Sequence, residues 1–318
     1  MPRGTSKKAK KSKKPEKKDS GSGSDSGSSG SDSENAPFAP VFSFTTCDKD
    51  EKDPSIVKVA RIGQTGEEPK YVALKYGDSS GPKTFDIPVD ARKTLVPCLQ
   101  DLPVATLKNR FPNRTYVAGS TLAGKSFLLG ALAREFVCTY PSSRIVLITS
   151  LESDPAYTLL EDTLSEKGRF VRLLTDEAFG DDVPEEEQIQ MRDLRGRFKK
   201  VLVLFDDWSV GASTSAQKAC EAFMNKCLRA GRHHGISLAL TNQVALGGVK
   251  TVNTITNSFS VMMFPSSSSR HHCIAFMKKY VGLNQEKIDQ LLALPTRWLF
   301  LQRCIPRFAM TEYHCELL

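Results

Sequence analysis

Eight consecutive residues, Gly119, Ser120, Thr121, Leu122, Ala123, Gly124, Lys125 and Ser126, are spaced as G-x-x-x-x-G-K-S. Glycines at both ends let such a loop wrap until successive backbone N–H groups point inward at an anion. The Lys125 ammonium then meets the outer phosphates of a nucleotide, and the Ser126 hydroxyl completes the coordination of Mg²⁺. An apolar strand is expected over 115–118, just before the loop, and the apolar run 127–132 opens a helix behind it. A helix that starts at the phosphate adds its dipole to the field. The expected ligands are ATP and Mg²⁺.

A second constellation lies about 80 residues on, where Val201, Leu202, Val203, Leu204 and Phe205 run into Asp206 and Asp207. A buried strand that releases carboxylates at its C-terminal end puts them where open α/β sheets bind ligands. Asp206 is the expected Mg²⁺ ligand, and Asp207 the general base that polarises the attacking water. The strand expected at 237–242 ends in amides, so Gln243 or Asn242 is placed to hydrogen-bond the γ-phosphate or its water.

These groups need a frame. From Thr115 onward short apolar runs at 115–118, 144–149, 170–174, 201–206, 237–242 and 260–264 alternate with amphipathic stretches at 125–138, 155–167, 185–198 and 215–230. Near-continuous apolar strands are covered on both faces, as in a parallel sheet, and the alternation predicts a doubly wound α/β domain over 106–318. Two strands, 144–149 and 170–174, come between the phosphate loop and Asp206 in sequence. That implies extra strands between the two motif-bearing ones in the sheet, as in the ATPase branch with an added catalytic acid. Period-two alternation at 55–61, 70–76 and 83–88 predicts a small β-rich accessory segment over 37–105, with nothing in it that suggests chemistry. The stretch 297–303 and then 306–318 reads as closing strands packed on the sheet.

The 318 residues carry 44 Lys+Arg against 36 Asp+Glu, yet residues 3–18 alone hold nine basic residues and one acid, equal to the whole net charge of +8. The high isoelectric point therefore describes a tail. Behind it, GSGSDSGSSGSDSEN has no large apolar side chain, so ordering it would cost entropy with no burial to offset it, and 1–36 is expected to be disordered. The basic run fits a nuclear-localisation signal or nucleic-acid arm, and equally a solvated tail; serines beside the acids of 19–35 are candidate phosphate acceptors. Apolar stretches such as 201–205 fall well short of the roughly 18 residues that span a bilayer, and no apolar segment follows the basic N-terminus as a secretory signal requires. Eight cysteines without a C-x-x-C pair point to a reducing compartment.

The segment AGRHHGISLALTNQ, residues 230–243, resembles the stretch of FtsK/HerA-superfamily DNA translocases in which a Gly-Arg precedes a strand ending in Gln, and Ser269 with Arg270 after the strand at 260–264 also resembles that superfamily. The wording Arg-His-His-Gly-Ile-Ser is most similar to the genome-packaging ATPases of large double-stranded-DNA viruses. The likeness covers about 106–304. It departs at Ala123, where many members have Gly or Ser, and at Val244, where the bacterial motors often have Arg-Pro. No winged-helix DNA-reading module of the FtsK kind follows the core, which favours a compact packaging motor over a chromosome motor.

The resemblance implies an ATP-hydrolysing translocase of double-stranded DNA, working as a homo-oligomeric ring, with a hexamer favoured, and docking on a capsid portal or membrane-vertex protein without inserting in a membrane. It implies an intracellular setting, the host nucleus or a cytoplasmic viral factory, or association with the virion. It also implies a cation delivered from the neighbouring subunit to the γ-phosphate; Arg232 is the first candidate and Arg270 the second, against the plain alternative of a helix-end arginine. A helicase or segregation motor of the same superfamily, and an ATP-dependent assembly switch that moves no DNA, are the alternatives. His233 with His234, and His271, His272 and Cys273, lack metal-ligand spacing, and Cys220 and Cys227 share a helix face as core residues. Lys250 in the Gly247, Gly248, Val249 loop and the turn bearing Trp208 fit DNA contacts or ordinary surface loops equally.

Overall fold

The computed structural model describes residues 41–63, 68–89, 94–104, 106–184, 189–243, 246 and 249–318. The tail read at 1–36 lies outside the described residues, as do Val244, Gly247 and Gly248.

The described chain opens with β1 (Phe42–Cys47), β2 (Ile56–Gly63), β3 (Lys70–Tyr76), β4 (Thr84–Asp86) and β5 (Thr94–Pro97), followed by the ribbon β6 (Leu102–Val104) and β7 (Thr106–Phe111). The α/β alternation then runs β8 (Arg114–Ala118), α1 (Lys125–Thr139), β9 (Arg144–Thr149), α2 (Thr158–Leu164), β10 (Phe170–Leu174), α3 (Thr175–Phe179), α4 (Met191–Arg195) and β11 (Val201–Phe205). It continues with α5 (Thr214–Ala230), β12 (Ile236–Asn242), α6 (Val249–Asn257), β13 (Ser260–Met263), α7 (Arg270–Phe276) and α8 (Gln285–Ala293), and closes with β14 (Leu299–Gln302), β15 (Phe308–Met310) and β16 (His314–Leu317).

The main sheet has the order β10-β9-β11-β12-β8-β13-β14-β15-β16-β4. Its first six strands are mutually parallel. From β14 on the pairing is antiparallel, so the C-terminal strands extend the sheet rather than packing on it. The fold is the expected doubly wound α/β architecture. The added strand expected between the two motif-bearing ones is present, but it is single, β12, and it is the later strand 236–242. Strands 144–149 and 170–174 lie beyond β11, because the chain crosses over two positions after α1 and returns inward.

Why β11 is central is plain from its side chains. All five are buried; Val201, Val203 and Phe205 enter the cluster under α5, α7 and α8, while Leu202 and Leu204 enter the one under α1 and α2. Helix α5 supplies its face at helical spacing through Ala216, Cys220, Phe223, Met224 and Cys227, and Ser213 caps it by accepting from the Ala216 N–H. The helix expected at 155–167 begins only at Thr158, since Asp154 and Pro155 form a turn, with the Tyr157 N–H donating to the Asp154 carbonyl. Of the helix expected at 185–198 the structure shows 191–195, and 185–188 lie outside the described residues.

Strands β1, β3, β2 and β5 form a separate antiparallel sheet whose apolar side shares a core with α1. The strand expected at 83–88 is shorter and belongs elsewhere: β4 pairs with β16 at the end of the main sheet. Between the small sheet and α1 sits a buried carboxylate, Glu135, 2% exposed and ion-paired to Arg61 on β2 at 3.2 Å. The Tyr71 hydroxyl and the Cys98 thiol donate to it as well. Burial pushes the Glu135 carboxyl up, and the Arg61 charge opposes this. Removing the cation leaves a buried charge with two neutral donors. Arg61→Met is therefore expected to lower stability by about 2 kcal/mol, discounted because Arg61 is partly solvated. Adding Glu135→Gln should restore most of that loss in urea unfolding; an unchanged midpoint in the single variant would remove the pair from the account.

Candidate active site

All six parallel strands end at one edge, and the phosphate loop, the acids and the amides leave from β8, β11 and β12 there. Helix α1 starts directly behind Gly124, which has φ +95, with no capping side chain and no acid in its first turn. The amide donors of that turn are left to an anion. The loop is braced on the sheet: the Gly119 N–H donates to the Asn242 carbonyl at 3.1 Å, and the Ala123 N–H to the Ser120 carbonyl at 3.2 Å. Lys125 is buried and donates from Nζ to the Ser120 carbonyl at 2.9 Å, so its ammonium lies over the loop. Leu122 forms the tip, fully exposed with φ +67.

A cleft of about 430 Å³ brings the expected residues together: Thr121, Lys125, Ser126, Asp207 and Gln243 line it, and so does Asp154. Asp207 takes φ +45, a left-handed conformation rare outside glycine, which turns its carboxylate off the strand direction and into the cleft. Its carboxyl is raised above the usual range, first by burial, then by the charge of Asp206, with Lys125 pulling it back.

Asp206 is held differently. It is 2% exposed, and both oxygens accept hydroxyl donors: Tyr157 at 2.7 Å and Thr241 at 2.8 Å. The Tyr157 hydroxyl is pushed well above its ordinary range by burial and then by Asp206, so it stays a donor. A carboxylate whose orientation is fixed by two hydroxyls fits a Mg²⁺ ligand, although Asp206 stands behind Asp207 and is not itself among the residues lining the cleft. Such an ion takes one or two protein ligands beside phosphates and water, and Asp206 and Ser126 are the residues that would hold it.

Tyr157 reaches Asp206 because its turn lies hard against α1. A Cβ on Gly130 would lie 2.4 Å from the Ala156 carbonyl oxygen, so only glycine permits the approach. Asp154 is oriented by the Ala156 N–H at 2.8 Å. Neither Tyr157, Thr241, Asp154 nor Gly130 was legible as a site residue, although the Asp-Pro turn at 154–155 and a threonine in an otherwise apolar strand are the signals that point to them.

Two candidates stand apart from the cleft. Arg232 is exposed in the 3₁₀ turn Gly231–His234 before β12, with its Nε donating to His233 Nε2 at 3.2 Å. The seven residues of β12 separate it from Gln243, about 20 Å. Arg270 opens α7 and pairs with Asp289 at 3.0 Å. Trp208 packs half-buried against the core, its carbonyl accepts from the Ser150 hydroxyl, and the turn that follows it, 209–211, is exposed. Lys250 falls in α6, with its side chain outside what is described. Among the described residues no helix is long and apolar enough to cross a membrane.

No protein-family model matches the sequence. The chain is similar to an uncharacterised protein, V3, of the Sputnik virophage, 23% identical over 198 residues, 62% of this chain and 74% of V3. Among solved structures it is similar to the genome packaging NTPase B204 of Sulfolobus turreted icosahedral virus 2 in complex with ATP-gammaS, at 16% identity and a TM-score of 0.41, over 60% of this chain and 92% of that one. It is also similar to the cytoplasmic domain of the type VII secretion ATPase EccC of Thermomonospora curvata, at 14% identity and a TM-score of 0.47, over 72% of this chain and 28% of that one. The pCW3 conjugation coupling protein TcpA is similar at 14% identity and a TM-score of 0.40, over 81% of this chain and 77% of that one.

The hydroxyl pair on Asp206 makes a specific prediction. Tyr157→Phe removes one donor and no apolar volume, so Mg²⁺-dependent nucleotide affinity should fall by about 10–100-fold. Affinity measured in EDTA should not change. Equal affinities with and without the metal in the variant and the parent would refute the role.

Proposed function

We propose that the chain is a Mg²⁺-dependent ATPase that drives double-stranded DNA through a ring of its own copies, as a genome-packaging motor. The observation that carries the catalytic part is the meeting of Lys125, Ser126, Asp207 and Gln243 in one cleft beside a hydroxyl-locked Asp206. Lys125 neutralises charge on the outer phosphates, and the amides of 119–126 hold their oxygens. Asp207 accepts the proton of the attacking water, and Gln243 orients that water toward phosphorus. Mg²⁺, held by Ser126 and Asp206, supplies charge neutralisation across the phosphates.

The DNA part rests on the resemblance of residues 230–243. The remoteness of Arg232 from its own cleft supports a role on a neighbour's nucleotide, because an exposed arginine at the opposite sheet edge serves only a site brought to it. Delivered in this way it raises the rate by about 10³–10⁵-fold. Arg270, tied to Asp289, is the second candidate for that role. The ring's partners are then duplex DNA, read by its phosphates without sequence preference, and a capsid portal or vertex protein, in an intracellular or virion-associated setting.

The deciding experiment measures ATP hydrolysis with and without duplex DNA on protein sized for oligomeric state. DNA stimulation of a ring supports the translocase; turnover indifferent to DNA favours an assembly switch, and unwinding of a forked duplex favours a helicase. Lys125→Ala and Asp207→Asn should each abolish turnover, Asp207→Asn while still binding ATP, and an active variant of either kind refutes the site. Arg232→Ala should be inactive alone and regain rate when mixed with Asp207→Asn; mixtures without recovery count against delivery in trans. Because a base works only when deprotonated and the Asp207 carboxyl is raised, the rate should fall on the acid side at a pH above the ordinary aspartate range, about 3.9. A pH–rate profile flat down to that range would exclude Asp207 as the base.

A further inference from the structure

We propose that a second cleft, on the side of the phosphate loop away from the acids, receives the nucleobase, and that β5 of the small sheet forms one of its walls. The inference rests on reading the neighbouring cleft as an ATP site and adds a recognition surface to it.

Continuity is the first ground. Gly124 and Phe127 line both clefts, so the two meet across the N-terminus of α1. Direction is the second. In the order β11-β12-β8-β13-β14 the acids and Gln243 stand on one side of the loop strand, while Phe264 follows β13 and Trp298 precedes β14 on the other. A nucleotide whose outer phosphate meets Asp207 and whose chain passes over α1 therefore carries its base toward β13 and β14, two strand spacings or about 10 Å from β8. Phe264 is tight against the loop, since a Cβ on Gly119 would lie 2.8 Å from its ring.

Chemistry is the third ground. The cleft measures about 270 Å³, and Leu95, Phe264 and Trp298, all nearly buried, give it apolar and aromatic walls. Phe127 stands at its rim with 66% of its surface exposed, an uncommon expense for a large aromatic ring on a helix's first turn. A flat base between such walls removes both apolar surfaces from water. At the same rim Glu312 accepts from the Arg297 backbone N–H at 2.8 Å, from Arg297 Nε at 2.5 Å and from the Thr296 hydroxyl at 3.2 Å. The charged side chains are thus engaged with each other, and a guanidinium is held where it can stack on a base. Strand β5 is the edge of the small sheet, and its Leu95 N–H donates at 2.8 Å to the Glu312 carbonyl, which ties this wall to the C-terminal strands. A site that stacks more than it hydrogen-bonds discriminates weakly, so ATP and GTP should bind within about 100-fold of each other.

The test compares Mg·ATP with inorganic tripolyphosphate, which has no base, on the full chain. Ala131 lines the cleft one turn beyond Phe127. Ala131→Phe, which fills the cleft, should weaken ATP about tenfold and change tripolyphosphate by no more than about twofold, and Phe127→Ala, at the rim the two clefts share, should weaken ATP more than it weakens tripolyphosphate. Arg297→Ala gives a third probe, and because it unpairs the buried Glu312, thermal unfolding of all three variants checks that they remain folded. ATP affinity unchanged in all three, or equal losses for both ligands, overturns the inference while leaving the phosphate site standing. Wild-type protein that binds tripolyphosphate as tightly as ATP overturns it too. Binding of neither ligand by wild-type protein removes the ATP reading and this one with it.

Discussion

A buried carboxylate can be kept charged only if its oxygens are satisfied, and Asp206 meets that condition with two hydroxyls drawn from separate parts of the chain. Thr241 comes from β12, the strand inserted between the loop strand and β11. Tyr157 comes from the turn before α2, pressed against α1 through the missing side chain of Gly130. The phosphate-loop helix, the two central strands and the first crossover are therefore all located with respect to one oxygen pair. Asp207, one residue on, has no such hydroxyl partners among the described residues, and it has a raised carboxyl and a left-handed backbone. Adjacent acids thus acquire different characters, one held by hydroxyls and one with a raised carboxyl, from environment alone.

The small sheet extends this dependence. Its apolar side is continuous with the core under α1, Glu135 ties that helix to β2 and β3, and β5 faces the loop's far side. The helix that carries Lys125 is consequently gripped along one flank by strands that looked, as sequence, like an accessory piece. The proposed base cleft follows from that grip.

Local chemistry was readable wherever a residue type and a backbone shape are demanded together. The glycine-framed loop, the apolar strand ending in acids and the helix face of 215–230 follow from composition and period, and the parallel strands appear within a residue or two of where alternation puts them. Placement across the sheet was not readable. Nothing local says that the chain skips two positions after α1, so the intervening strand was misassigned. Tyr157 and Thr241 looked like ordinary core residues because their role depends on a carboxylate 49 and 35 residues away. Of the amphipathic stretch expected at 185–198, the described residues are helical only over 191–195, where Met191 and Leu194 reach the core.

The pairing of β4 with β16 reaches further than architecture. Asp86 meets His314 across 228 residues of chain at 2.6 Å, one of the most distant closures in the molecule. The four strands of the small sheet pair with one another within residues 42–97, whereas β4, which lies between β3 and β5 in the chain, finds its partner only in β16 of the main sheet. Loop-closure entropy makes that the late step of folding, and an uncovered edge is the natural template for the wrong neighbour. Until residues 314–316 pair with 84–86, both strands present unpaired backbone groups along one edge, the arrangement that favours pairing with the wrong strand.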